Sequence, residues 1–237
     1  MTQTTRRLPA AKARDSRDTP AYPVAEAARY LRLPVATLRT WVTAPAESSR
    51  TSSSRLSRVI HPAGRNPVML SFWNLVEAHV LRALRTDHGI SLPAVRKAVH
   101  YAEKELGIDR LLLSPELKTD AGRLFLDRYG ALTDLTASGQ LAMRKLFESH
   151  LRRVEWDVWQ FPVRLYPFVT SESTEGSPTI AIDASIAFGR PAIRRRGIST
   201  STIADRIDAG ESVADIASDY EIDDAEVSAA VLIERAA

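Results

Sequence analysis

A chain of 237 residues, 44% hydrophobic and 26% charged, can build two or three small folded units. The absence of cysteine removes disulfides, thiolate chemistry and cysteine-ligated zinc and suits a cytoplasmic protein, and no apolar run approaches the ~18 residues that span a bilayer. The net charge of +3 hides a polarity: residues 1–100 carry +10 and residues 200–237 carry −8, so one end suits a polyanion and the other repels it.

Residues 1–20 contain Arg6, Arg7, Lys12, Arg14 and Arg17 without an apolar core, so a disordered basic arm is expected rather than a secretory signal. From Tyr22 to Trp41 the pattern predicts two short helices around a tight turn. Val24, Ala27, Ala28 and Leu31 share one face, Leu33-Pro34 breaks the helix, and Val35, Leu38 and Trp41 or Val42 form the next apolar stripe. That leaves Ala36, Thr37, Arg39 and Thr40 toward solvent, a polar face of the kind that base and phosphate contact requires. An ordinary helical hairpin with a solvated face reads the same way.

The Ser-rich stretch 43–57 predicts a loop. Arg58-Val59-Ile60-His61 and Val68-Met69-Leu70 flank a Pro/Gly/Asn turn and predict a β-hairpin with Arg50, Arg55, Arg58 and Arg65 spread along this wing, as phosphate contacts would be. Ser71 then caps a long helix ending near Gly89, and Ser91-Leu92-Pro93 opens another ending at Gly107. In the middle, 123–127 and 131–135 predict a hairpin, about 138–156 a helix, and 163–168 and 179–182 two strands. Trp156, Trp159, Phe161 and Tyr166 read as core aromatics of this small α/β module or, alternatively, as the lining of a small-molecule pocket. Three short helices end the chain, at Thr200–Ala209, Ser212–Tyr220 and Asp223–Arg235, with Ser212/Asp215 and Asp223/Glu226 as capping pairs.

Two stretches resemble known families. The order helix, turn, helix, wing, two helices over residues 22–106, with YPVAEAARYLRLPVATLRTW at its head and GISLPAVRKAV at its tail, resembles the N-terminal domain of MerR-type regulators. The resemblance implies DNA-facing Thr37 and Arg39. Residues 187–235, from Phe188-Gly189-Arg190-Pro191-Ala192-Ile193-Arg194 through AGESVADIASDY, resemble the short antitoxin domain found beside PIN-type ribonuclease toxins, a family long carried as a domain of unknown function. That family usually reads Gly-Thr-Arg-Ile where this chain has Arg195-Arg196-Gly197-Ile198. The combination resembles the longer VapB-type antitoxins of type II toxin–antitoxin pairs, which implies operator DNA and a cognate ribonuclease toxin as partners.

The expected fold is therefore mainly α with small β elements (α+β). It comprises a basic arm (1–20), a MerR-like winged helix-turn-helix (21–107), a small α/β module (108–186) and an antitoxin-like helical domain (187–237). Arg190, Arg194, Arg195 and Arg196 are candidate toxin contacts, the last three equally a solvated loop. The net charge of −8 over the last helices makes them a protein-binding or dimerising element rather than a second DNA reader. The five histidines are scattered, and no nucleophile elbow, phosphate-cradling loop or dinucleotide fingerprint occurs, so neither enzyme activity nor a cofactor or metal is expected. A homodimer is expected, since operator palindromes match two-fold symmetry. The competing reading is a MerR-type ligand-sensing regulator without a toxin partner.

Overall fold

The structure, a computed structural model, describes residues 15–43, 58–86, 91–105, 107, 109–113, 152–159, 161–168 and 179–235. In chain order these form β1 (Tyr22–Pro23), α1 (Val24–Tyr30), α2 (Val35–Val42), β2 (Gly64–Arg65), β3 (Val68–Leu70), α3 (Phe72–Thr86) and α4 (Leu92–Glu105). There follow β4 (Val154–Trp156), β5 (Pro162–Leu165), β6 (Ile180–Asp183), β7 (Pro191–Ile193), β8 (Ile198–Ser199), α5 (Thr200–Asp208), α6 (Val213–Tyr220) and α7 (Asp224–Arg235). The mixture of helix and sheet agrees with an α+β class.

Pro23 and Pro34 precede α1 and α2, where a missing N–H costs nothing. The turn between them is closed by Leu33 N–H donating to the Ala28 carbonyl, while Arg82 from α3 donates to the Leu31 carbonyl at 2.5 Å. Leu38, Trp41 and Val42 bury the inner face of α2. β1 and β2 both pair antiparallel with β3. The hairpin is shorter than expected, because 58–60 do not pair as a strand: Val59 and Ile60 donate their N–H groups to the Trp41 carbonyl at the end of α2.

α3 is the centre of the larger core. Every residue from Phe72 to Val80 is buried, as for a helix packed on all sides. That core also takes in Leu111–Leu113 and, from the second sheet, Val154, Leu165 and Ile182. A smaller core joins Ile180 and Ile193 to α5–α7 through Ile203, Ile216, Val227 and Ala230. The second sheet runs β4-β5-β6-β7-β8, all antiparallel. It thus crosses residue 186, where the sequence reading drew a boundary. Residues 154–156 are strand, not the end of a helix, because they pair with β5. The expected hairpin at 123–135 and the body of the helix from 138 lie outside the described residues. Residues 15–20, assigned to the arm, are ordered: Asp15 caps a 3-10 turn at Ser16–Asp18, and Arg17 reaches Asp157 at 2.7 Å.

α3 also carries a buried polar chain. Asn74 accepts N–H bonds from Ala63 and Ser71 and donates to the His61 carbonyl and to Glu77, all at 2.8–3.1 Å. Arg110 joins Glu77 to Asp18. Burial pushes the Glu77 carboxyl up to about 7, against the opposing pull of Arg110. Its stabilising contribution is complete below the unfolded-chain value near ~4.3 and is lost as pH rises through 7. Glu77→Gln should therefore match the parent below about pH 4 and be the more stable by on the order of 2 kcal/mol at pH 8.5. Denaturation curves across that range check this, and parallel pH profiles for the two proteins would contradict it.

Candidate functional site

On α2, Ala36, Arg39 and Thr40 are exposed and Thr37 is half-buried. Thr40 donates its hydroxyl to the Thr37 carbonyl at 2.8 Å, so Arg39 is the long cationic group of this face. Arg65 is exposed in the β2–β3 hairpin. Arg58 is half-buried beside Val59, which lies against the end of α2. Arg50 and Arg55 lie outside the described residues.

Two further cations join this region that sequence reasoning passed over. Arg96 of α4 donates to the Thr40 carbonyl at 3.2 Å. Arg32 is exposed at φ +50 in the turn between α1 and α2. Only the tertiary packing of α4 on α2 reveals the first, and the second occupies a turn position where a side chain is rarely expected.

The candidate arginines of the tail are not one group. β7 places Arg190 at one end of the sheet and the 194–197 turn at the other. Arg190 pairs with Glu26 of α1 at 2.8 Å and lies over the Tyr22 ring. Arg195 grips Glu226 through Nε and Nη2, holding that carboxyl below its ordinary range, and donates to the Glu221 carbonyl. Arg196 pairs with the Glu221 carboxylate. Glu226 also accepts the Asp223 N–H at 2.9 Å, so Arg195 and Arg196 brace the turn from α6 into α7. Both guanidiniums are therefore ion-paired within the chain while still exposed. Arg194 is exposed.

β1 and α1 are tied to the C-terminal part at three points. Tyr22 Oη–H donates to the Gly189 carbonyl at 2.8 Å, Arg190 meets Glu26, and Arg29 pairs with Glu234 at 2.8 Å. The outer surfaces of α5–α7 carry exposed Asp205, Asp208, Glu211, Asp215, Asp219 and Asp224. The four aromatics of the middle region differ in burial: Tyr166 is buried, Trp156 half-buried, Trp159 exposed, and Phe161 stacks on Trp73 at 5.0 Å. No group of three or more His, Asp or Glu residues that could hold a metal occurs among the described residues. Nor is any described helix long and apolar enough to cross a membrane.

Known proteins share this arrangement. Residues 180–232 match a family described as "Protein of unknown function (DUF433)". The match begins at β6, ahead of residue 187. Over 222 residues, 86% of this chain and 89% of the other, the sequence is 27% identical to "Putative antitoxin VapB45" of Mycobacterium tuberculosis (strain ATCC 25618 / H37Rv). The fold is similar to the crystal structure of Rv2018 from Mycobacterium tuberculosis, with a TM-score of 0.63 and 23% identity over 90% of this chain and 98% of that one. The similarity to that relative spans nearly the whole length of the chain.

Proposed function

We propose that this chain is the antitoxin of a type II toxin–antitoxin pair. It binds operator DNA as a homodimer through a MerR-like winged helix-turn-helix and neutralises a PIN-type ribonuclease toxin through its C-terminal half. The observation that carries the reading is the near full-length similarity to the protein named "Putative antitoxin VapB45". Geometry supports the DNA half: α2 offers Thr37, Arg39 and Thr40 outward, with Arg65 on the adjoining hairpin and Arg96 against the end of α2. Charge supports the division of labour, since the basic half suits phosphate and the acidic helices suit the basic surface on which a ribonuclease receives RNA. Among the described residues, Trp156, Trp159, Phe161 and Tyr166 differ widely in burial, and no observation specifically favours the ligand-sensing alternative.

Arg39→Ala is expected to weaken binding to operator DNA by about 1–3 kcal/mol if Arg39 reads a base edge. Titrations on operator and on random duplex at several salt concentrations distinguish the cases. Equal losses on both make Arg39 a phosphate contact, and no loss on either removes α2 from the interface. Co-expression and co-purification with the product of the adjacent gene test the partner half directly.

A further inference from the structure

Antiparallel pairing brings two distant turns to one end of the second sheet. Trp156 pairs with Pro162, Arg164 with Asp183, and Ile182 with Pro191. The described residues of the β4–β5 turn (157–159 and 161) and the β6–β7 connection (184–190) therefore emerge side by side, about 10 Å apart at two strand spacings. Both display large apolar side chains: Val158 is 84% exposed, Trp159 76%, Phe161 42% and Phe188 95%.

Each turn is built to hold its side chain out. Asp157 Oδ1 accepts the N–H groups of both Trp159 and Phe161, at 3.0 and 2.8 Å. Arg17 clamps the other Asp157 oxygen and lies over the Phe161 ring. Phe188 sits at φ +52 between Ala187 at φ +47 and Gly189 at φ +77. Two successive non-glycine residues in the left-handed region store strain, and such strain gathers where a side chain is displayed for use. The Tyr22–Gly189 hydrogen bond fixes that turn from behind.

We infer that this end of the sheet, with Trp159 and Phe188 as anchors, is the surface that docks the protein partner. The fitting partner offers an apolar cleft with a basic rim. This rests on the antitoxin reading for the existence of a protein partner and adds where it binds. The charges beside the two turns favour that occupant. Arg17, Arg164 and Arg190 are all ion-paired, to Asp15, Asp157, Glu155, Asp183 and Glu26, which leaves the described rim with two more carboxylates than guanidiniums. Such a rim repels nucleic acid and attracts the cationic surface of a ribonuclease. Two aromatics at these exposures offer about 400 Å² between them, half of one side of a standard protein interface. Their rigid presentation lowers the ordering cost of binding, as for aromatic hot spots.

The test is calorimetric titration of the full chain with the product of the adjacent gene, using Trp159→Ser, Phe188→Gly and the double variant. Each single variant should weaken binding at least tenfold and the pair at least a hundredfold, with operator affinity unchanged. Phe188→Gly relieves left-handed strain, so its melting temperature should be no lower than the parent's; weaker binding by an equally stable protein excludes misfolding as the cause. Parent-like affinity in the double variant overturns the docking surface while leaving the antitoxin reading intact. Failure of the unaltered chain to bind overturns both. If the double substitution abolishes self-association in sedimentation but not partner binding, a second copy of this chain is the occupant and the inference falls. If deleting residues 1–14 exposes Trp159 to acrylamide quenching as much as partner binding shields it, the chain's own arm is the occupant, with the same consequence.

Discussion

Gly189→Ala is expected to destabilise the folded chain by about 3–5 kcal/mol, combining left-handed strain with the loss of a buried hydrogen bond. Gly189 sits at φ +77, and a Cβ there would lie 2.3 Å from Tyr22 Oη and 3.2 Å from Cζ. Tyr22 is fully buried and has nowhere to swing. Its hydroxyl would lose the Gly189 carbonyl, and β1 would lose its hold on the β6–β7 connection. The diagnostic is a double-mutant cycle in chemical denaturation. Tyr22→Phe should cost less on its own and should restore part of the loss when combined with Gly189→Ala, because removing the hydroxyl makes room for the methyl group. A Gly189→Ala protein as stable as its parent would mean that the contact is not made in solution.

Asn74→Ala should cost nearly as much, about 3–4 kcal/mol, because it strands several buried groups at once. The Asn74 amide serves the Ala63 and Ser71 N–H groups, the His61 carbonyl and Glu77. Water cannot replace it at a residue with 0% exposure. Two of its partners belong to the segment leading into β2, so the hairpin that carries Arg65 should loosen along with the core. Hydrogen exchange is the appropriate readout: faster exchange in 59–70 than in α5–α7 is expected, and a uniform change across the chain would show that Asn74 acts on the core alone.

The helices were legible because their signals are local. Pro34, the Leu38/Trp41/Val42 stripe and the Ser212 cap each act within one turn, and α5–α7 fall within a residue of their expected bounds. The second sheet was not legible as one unit, since β4 and β5 are three to four residues long and find their partners through registry rather than composition. Trp156 completed a helical pattern in the sequence but is held in β4 by pairing opposite Pro162. Charge likewise announced the arginines at 190 and 194–196 without announcing the carboxylates that meet them, because Glu26 and Glu226 are brought there only by folding. The exposed Trp159 and Phe188 were hidden for the opposite reason. An aromatic residue in a strand-rich segment normally reads as core, and only the turn geometry turns these two outward.

The ties on β1 and α1 also bear on the order in which the chain is made. Tyr22 waits for a partner 167 residues downstream, and Arg29 for one 205 residues downstream. Contacts of such separation form late, and a chain emerging from the ribosome has its head nearly complete before β7, β8 and α7 exist. Until then β6 is an unpaired edge, open to pairing with another chain, and Glu26 lacks its guanidinium. Cleavage between β6 and β7 would return the finished protein to that half-made condition. The last fifty residues are thus a closing piece for the first thirty as well as a surface in their own right, and trimming the tail would be felt at α1.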